Sequence, residues 1–172
     1  MSTTNNTNPL DMPADSPIAT ELGDIQNCGL PSALEVMGER WAFMILRAAF
    51  NKVKHFEDFL AVLGIARNIL ANRLAGLVEH GILSREQMAD DRRKVEYCLT
   101  DRGRDLLPAM LALRQWGEKY GLGVPSDPVL VDTRDGLPIA PIAIRAHDGR
   151  VLDWGELHWQ HRANLGKPNP DC

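Results

Sequence analysis

Apolar residues recur at helical spacing from about Pro31 and hold that rhythm, with breaks, to about Tyr120. Pro31 suits a first helical position, Ala33, Leu34 and Met37 share one face, and Gly38 ends the run. The stretch "RWAFMILRAAF" predicts a second helix that buries Trp41, Ile45, Leu46 and Ala49. A short strand is expected in the polar "NKVKHF", and "FEDFLAVL" predicts a third helix with Phe56, Phe59, Leu60 and Leu63 facing inward. Gly64 and Ile65 make a tight turn. A fourth helix then runs over about residues 66–80 to a left-handed cap at Gly81.

Beyond Gly81 the period drops to two. "ILSREQM" and "KVEYCLT" flank the turn residues "ADDRR", which predicts a hairpin anchored by Ile82, Tyr97 and Leu99. Thr100 is placed to cap a fifth helix, and Pro108 either kinks that helix or sits in the first turn of another. Leu106, Leu107, Met110, Leu111, Leu113 and Trp116 form the apolar stripe that follows. The order defines a mainly α fold with a small β hairpin (α+β). It is a winged helix-turn-helix over residues 25–122, with a dimerising helix at each end. Residues 1–24 read as a disordered polar tail. Residues 126–172 alternate apolar stretches with the turns Arg134-Asp135-Gly136 and His147-Asp148-Gly149. That rhythm suggests a small β-like appendage of two to four strands ending in a loose tail, and its residues assign it no role.

Charge sharpens this picture. The 172 residues carry a net charge of -4, but unevenly. Residues 1–39 hold six acids and no Lys or Arg, residues 40–104 hold twelve bases and eight acids, and residues 105–172 hold seven bases and nine acids. A basic middle inside an acidic chain is the footprint of a local polyanion-binding face. No apolar run approaches the roughly 18–20 residues that span a bilayer, and the N-terminus lacks the basic start and apolar stretch of a secretory signal. A cytoplasmic protein is expected. The odd, widely spaced cysteines Cys28, Cys98 and Cys172 argue against a disulfide framework. With no glycine-rich phosphate loop, no Gly-x-Ser-x-Gly and no His-Glu-x-x-His, no enzyme is expected either.

The basic residues gather around the fourth helix and the hairpin. Leu70, Leu74 and Leu77 define the helix's buried stripe, and Asn68, Ala71, Asn72, Ala75 and Gly76 its opposite face, with Arg67 and Arg73 on the flanks. Small residues let a helix approach the floor of the major groove. Asn can pair with an adenine edge, and Arg with guanine or a phosphate. Arg92, Arg93 and Lys94 at the hairpin tip, with Arg85 at its base, suit the negative potential of the minor groove. Lys52 and Lys54 precede the third helix, whose amino end suits a phosphate. The plainer alternative is a solvated helix surface, but such surfaces favour Glu–Lys pairs four apart, and this helix has none. A winged helix devoted to protein contacts would instead want an apolar face and a neutral wing.

Other residues keep two readings. Trp41, Phe43, Trp116 and Tyr120 suit an effector pocket, though the core of an interface is the plainer reading. Cys28 lies near a helix start, where the dipole lowers a thiol pKa, so it is a candidate redox sensor; a small buried residue is the plainer account. Cys98 reads as structural. His158 and His161 lack a third ligand at credible spacing, so neither a metal nor another cofactor is expected.

Three stretches, "CGLPSALEVMGERWAFMILRAAF", "HFEDFLAVLGIARNILANRLAGLVEHGILSR" and "VEYCLTDRGRDLLPAMLAL", resemble the HxlR-type winged-helix transcriptional regulators over about residues 27–120. The matching features are the Cys-x-x-Pro opening, Gly38 to Trp41, Gly64-Ile65, Arg73-Leu74, Gly81 with Arg85, and Glu96-Tyr97 with Leu99-Thr100. The resemblance implies a homodimer joined by its terminal helices, with two recognition helices in successive major grooves of an inverted repeat in double-stranded DNA. It implies repression of stress or metabolic genes, released by a small-molecule effector or by a thiol at Cys28. The chain departs mildly from the family's "GGKW" at Gly38-Glu39-Arg40-Trp41, and residues 126–172 lack the paired cysteines of relatives with a metal-binding extension.

Overall fold

A computed structural model describes residues 28–38, 40–88, 94–121, 127–160 and 162–166. The expected N-terminal tail, Arg92 and Arg93 of the hairpin tip, His161 and Cys172 lie outside the described residues. Helix α1 (Gly29–Met37) begins ahead of Pro31, which sits in its first turn and gives up no needed hydrogen bond. Of the face expected to be buried, only Met37 reaches the core, while Leu34 stays 55% exposed.

Helices α2 (Arg40–Phe50), α3 (Phe56–Leu63) and α4 (Arg67–Glu79) form the core unit around Ile45, Leu46, Phe59, Leu70 and Leu74. Trp41 is half-buried at its margin. α3 and α4 meet at a bend of 120° across a three-residue turn, at the wide end of the range for a helix-turn-helix. Gly64 makes the bend by adopting φ 59° and donating its N–H to the Leu60 carbonyl at 3.0 Å.

Two helices end in the same way. At the close of α4, Gly81 donates to the Val78 carbonyl at 2.9 Å and Ile82 to the Leu77 carbonyl at 2.8 Å. At the close of α2, Lys52 donates to Ala49 at 2.9 Å and Val53 to Ala48 at 3.1 Å. These are the paired bonds of a Schellman cap, whose left-handed residue is usually glycine. In α2 that position is Lys52, at φ 67°.

Strands β1 (Leu83–Gln87) and β2 (Val95–Leu99) pair antiparallel, from Leu83 opposite Leu99 to Gln87 opposite Val95. Ile82 and Leu83 are buried, and Tyr97 meets Phe59 edge-on with ring centroids 6.5 Å apart. The short strand expected at "NKVKHF" reduces to one backbone bond, from the Tyr97 N–H to the Lys54 carbonyl at 2.8 Å.

Thr100 joins these parts. Its hydroxyl accepts the Gly103 N–H at 3.0 Å, capping α5 (Asp101–Arg104), and lies 2.7 Å from the Gly81 carbonyl, to which it donates. Its N–H donates to the Ile82 carbonyl at 3.2 Å. A Cβ on Gly103 would strike that same Ile82 oxygen. α6 (Leu107–Tyr120) then starts afresh with Pro108 in its first turn. Of its apolar stripe only Leu111 is fully buried; Leu113 and Trp116 are exposed.

The C-terminal extension forms no continuous strand among the described residues. Two small hairpins are each closed by one bridge, Val131–Pro138 and Arg145–Val151, and braced by Asp132 and Asp148 accepting backbone N–H groups in their turns. Pro128, Pro138 and Pro141 bring no N–H to a ladder, which cuts the expected strands short. The first hairpin belongs to the same compact unit as the helices, Ala33–Ala143. Arg114 donates to the Pro128 carbonyl at 2.7 Å, and the Ile142 N–H to the Gln115 side chain at 2.8 Å. The second hairpin lies in a separate unit, from Ile144 onward together with the described residues before Ala33.

Glycines in two helices should therefore respond oppositely to a methyl group. Gly103→Ala must displace the Ile82 carbonyl and lowers stability, whereas Gly76→Ala, with open space at its Cβ, raises it by about 0.5–1 kcal/mol. Thr100→Val removes the cap and strands the Gly81 carbonyl, costing about 1–3 kcal/mol. Urea denaturation of the three variants checks all three signs.

Candidate nucleic-acid interface

Leucine spacing turns α4 so that Leu70, Leu74 and Leu77 face the core. The outward side carries Asn68, Ala71, Asn72 and Ala75, all exposed, with Gly76 half-buried at its edge. Ile69, 37% exposed, stands among them, an apolar contact that the polar reading of this helix overlooked. Arg67 begins α4 and is already engaged. Its two terminal nitrogens each donate to a Glu57 carboxylate oxygen at 2.8 Å, and its guanidinium lies 5.3 Å from the Phe56 ring centre. Arg73, on the other flank, is half-buried and lines a hollow of about 110 Å³ with Glu35, Asn72 and His80.

The basic turn before α3 is held against the wing. Lys54 donates to Glu96 of β2 at 3.2 Å, and this bond raises the lysine's pKa. His55 places Nδ1 3.2 Å from the Val95 carbonyl and Nε2 3.7 Å from the other Glu96 oxygen. Glu96 also stands directly across the hairpin from Glu86, a like-charge pair that Lys54 offsets. Lys52, Arg85 and Lys94 are exposed. Arg85 sits opposite Tyr97 in the ladder, and the Lys94 carbonyl accepts the Met88 N–H at 3.1 Å as the hairpin opens.

Sequence reasoning missed the acids. Glu57 precedes Arg67 by ten residues and Glu96 follows Lys54 by 42, separations that no helical or strand period connects. The alternation of Glu96 and Cys98 along β2, on the hairpin face that Glu86 of β1 shares, was the available signal for the second.

The other candidates disperse. Trp41 lies under the Arg40 guanidinium at 5.1 Å, Phe43 is half-buried, and Trp116 and Tyr120 are exposed with ring centres 5.6 Å apart. None of the four lines the cleft of about 420 Å³ beside α2 and α6. Cys28 is exposed just before α1, so it is not a buried core residue of the single chain. Cys98 is half-buried on β2, and burial pushes its thiol pKa up, against thiolate reactivity.

A sharply bent helix pair, a second helix with a small polar outer face and a two-stranded wing define a winged helix-turn-helix protein of the transcription-factor class. The chain belongs to the HxlR-like helix-turn-helix family, whose model matches residues 36–123. It is 47% identical over 88 residues to the HTH-type transcriptional regulator Rv3095 of Mycobacterium tuberculosis, covering 51% of this chain and 56% of that one. It is 33% identical over 98 residues to the regulator YdeP of Bacillus subtilis, covering 56% and 77%. The chain thus spans little more than half the length of its mycobacterial relative. Among solved structures, PA1607, described as a proposed transcription factor, superposes with a TM-score of 0.72 at 38% identity over 78% of this chain and 94% of that one. PA1374 of Pseudomonas aeruginosa, described likewise, gives 0.56 at 28% identity over 84% and 97%. Among the described residues no single helix is long and apolar enough to cross a membrane.

The Arg67 bonds hold the Glu57 carboxyl below the usual carboxylate range. A depressed folded-state pKa means that the pair's contribution is present at neutral pH and fades as the pH falls through that range. An NMR titration of Glu57 should return to the ordinary value in Arg67→Gln. For the α2 cap, Lys52→Gly relieves the left-handed backbone and should raise stability by about 0.5–1 kcal/mol in urea denaturation. A fall would mean that Lys52 gains more from its side chain than the backbone loses.

Proposed function

We propose that this protein is a DNA-binding transcriptional regulator, a cytoplasmic homodimer that represses its target by occupying an inverted-repeat operator. One observation carries the reading: α4 buries its leucines and offers solvent a face of Asn68, Ala71, Asn72 and Ala75, polar enough to read base edges and small enough to reach them. Asn68 and Asn72 contact bases. Lys52, Arg85, Lys94 and, at the wing tip, Arg92 and Arg93 hold phosphates or the minor groove. Arg67 sets the start of α4 through Glu57 and, with Arg73, flanks the reading face. Lys54 works from its bond to Glu96, where a phosphate would compete with the carboxylate.

Leu30, Leu34, Leu113 and Trp116 leave apolar faces of α1 and α6 exposed in the single chain, which supports pairing of two copies through these terminal helices. Release by a small-molecule effector completes the proposal.

Selection of bound duplexes from a random pool should return an inverted repeat with half-sites about one helical turn apart. On that site Asn72→Ala should cost about 1–3 kcal/mol and relax the preference at one base pair. Arg92→Ala should weaken binding to all sequences and make the salt dependence shallower. No enriched sequence would end the specific-regulator reading, and an unchanged salt slope would remove the wing tip from the contacts.

A further inference from the structure

The cleft of about 420 Å³ beside α2 and α6 has a floor of Phe50, Leu107, Met110 and Leu111 and a wall of Val129 and Leu130. Its volume falls in the range of about 300–1,000 Å³ typical of small-molecule sites. The wall is pinned to α6 through Pro128. Arg114 donates to the Pro128 carbonyl at 2.7 Å and to Glu118 at 3.0 Å, so its charge is already matched. Arg47, which also lines the cleft, is different. Among the described residues its side chain makes one hydrogen bond, a long one of 3.3 Å to the Asp127 carbonyl, and pairs with no carboxylate. A largely apolar cleft lined by one uncompensated guanidinium suits an apolar molecule with one negative charge.

We propose that this cleft binds a small aromatic monocarboxylate, its ring on the apolar floor and its carboxylate on Arg47, and that the bound molecule repositions Lys52. The route is short. Arg47, Phe50 and Asn51 line the cleft and form the last turn of α2 and its cap. The Arg47 carbonyl accepts both the Asn51 N–H at 3.2 Å and the Asn51 side-chain amide at 2.7 Å. Lys52 follows at once in its left-handed conformation, and two residues later the Lys54 carbonyl is bonded to β2. Drawing Arg47 toward a carboxylate pulls on the cap that aims Lys52. Only this second half rests on the DNA-binding reading.

The test uses cinnamate and its neutral counterpart cinnamyl alcohol on the full chain, with affinity measured by calorimetry and operator binding by fluorescence anisotropy. Cinnamate should bind at least about tenfold more tightly than the alcohol, and Arg47→Gln should remove that advantage. Met110→Trp, which fills the floor, should abolish binding of both, while sedimentation shows the assembly state of each variant unchanged. Absence of cinnamate binding, or equal binding by wild type and both variants, overturns the site. So does a change in self-association in place of ligand binding, which would make a second copy the occupant. If cinnamate binds as described and operator affinity changes at least about tenfold in wild type but not in Lys52→Gly, the coupling stands. If cinnamate binds and operator affinity is unmoved, the coupling is overturned and the site retained. A protein that binds cinnamate but no DNA at all defeats the regulator reading alone.

Discussion

Two backbone carbonyls, those of Gly81 and Ile82, hold this fold together. They emerge where α4 ends, and a buried carbonyl without a donor costs more than a made hydrogen bond returns. Thr100 answers both, one with its hydroxyl and one with its N–H, while the same hydroxyl oxygen starts α5. Gly103 completes the arrangement by having no side chain, since any Cβ would strike the Ile82 oxygen. The end of the recognition helix, the base of the wing and the start of the next helix are thereby one joint. Helix and wing are thus tied at this joint as well as through the hairpin's own pairing.

Charge is arranged more economically than composition suggests. The basic surplus of the middle third is partly spent inside the protein, on Arg67 with Glu57 and on Lys54 with Glu96. Both pairs are well exposed, and such pairs add little stability on their own. Their value is positional, fixing where the guanidinium at the start of α4 and the ammonium beside the wing stand. Lys52, Arg85 and Lys94 are exposed and in no ion pair among the described residues.

Much of the fold could be read from the chain because its signals are local. Leucines at helical spacing marked α4, alternation marked the wing, and Thr100 with Pro108 marked the helix starts. Three things resisted. Ala33 and Leu34 kept helical spacing yet stay outside the core, because periodicity reports a face without saying whether the chain's own core covers it. The extension showed a strand rhythm, but its prolines lack the donors that turn rhythm into a ladder. The acids that pair with Arg67 and Lys54 come from distant positions, where only the three-dimensional path of the chain brings them close. The cleft was hidden for the same reason, being built from α2, α6 and a strap of Pro128, Val129 and Leu130 that no local pattern links. The aromatic residues singled out from sequence all lie elsewhere.

The strap also separates two boundaries that are easily equated. Likeness to the family model stops at residue 123, yet the compact unit continues to Ala143. A chain cut at the first boundary would retain every element of the winged helix and lose the cover over Phe50, Met110 and Leu111. The shortest recognisable domain and the shortest well-behaved domain are therefore different lengths. A truncated fragment would trade its closed side for a sticky one, so aggregation of such a fragment would report the missing strap and carry no information about the helices.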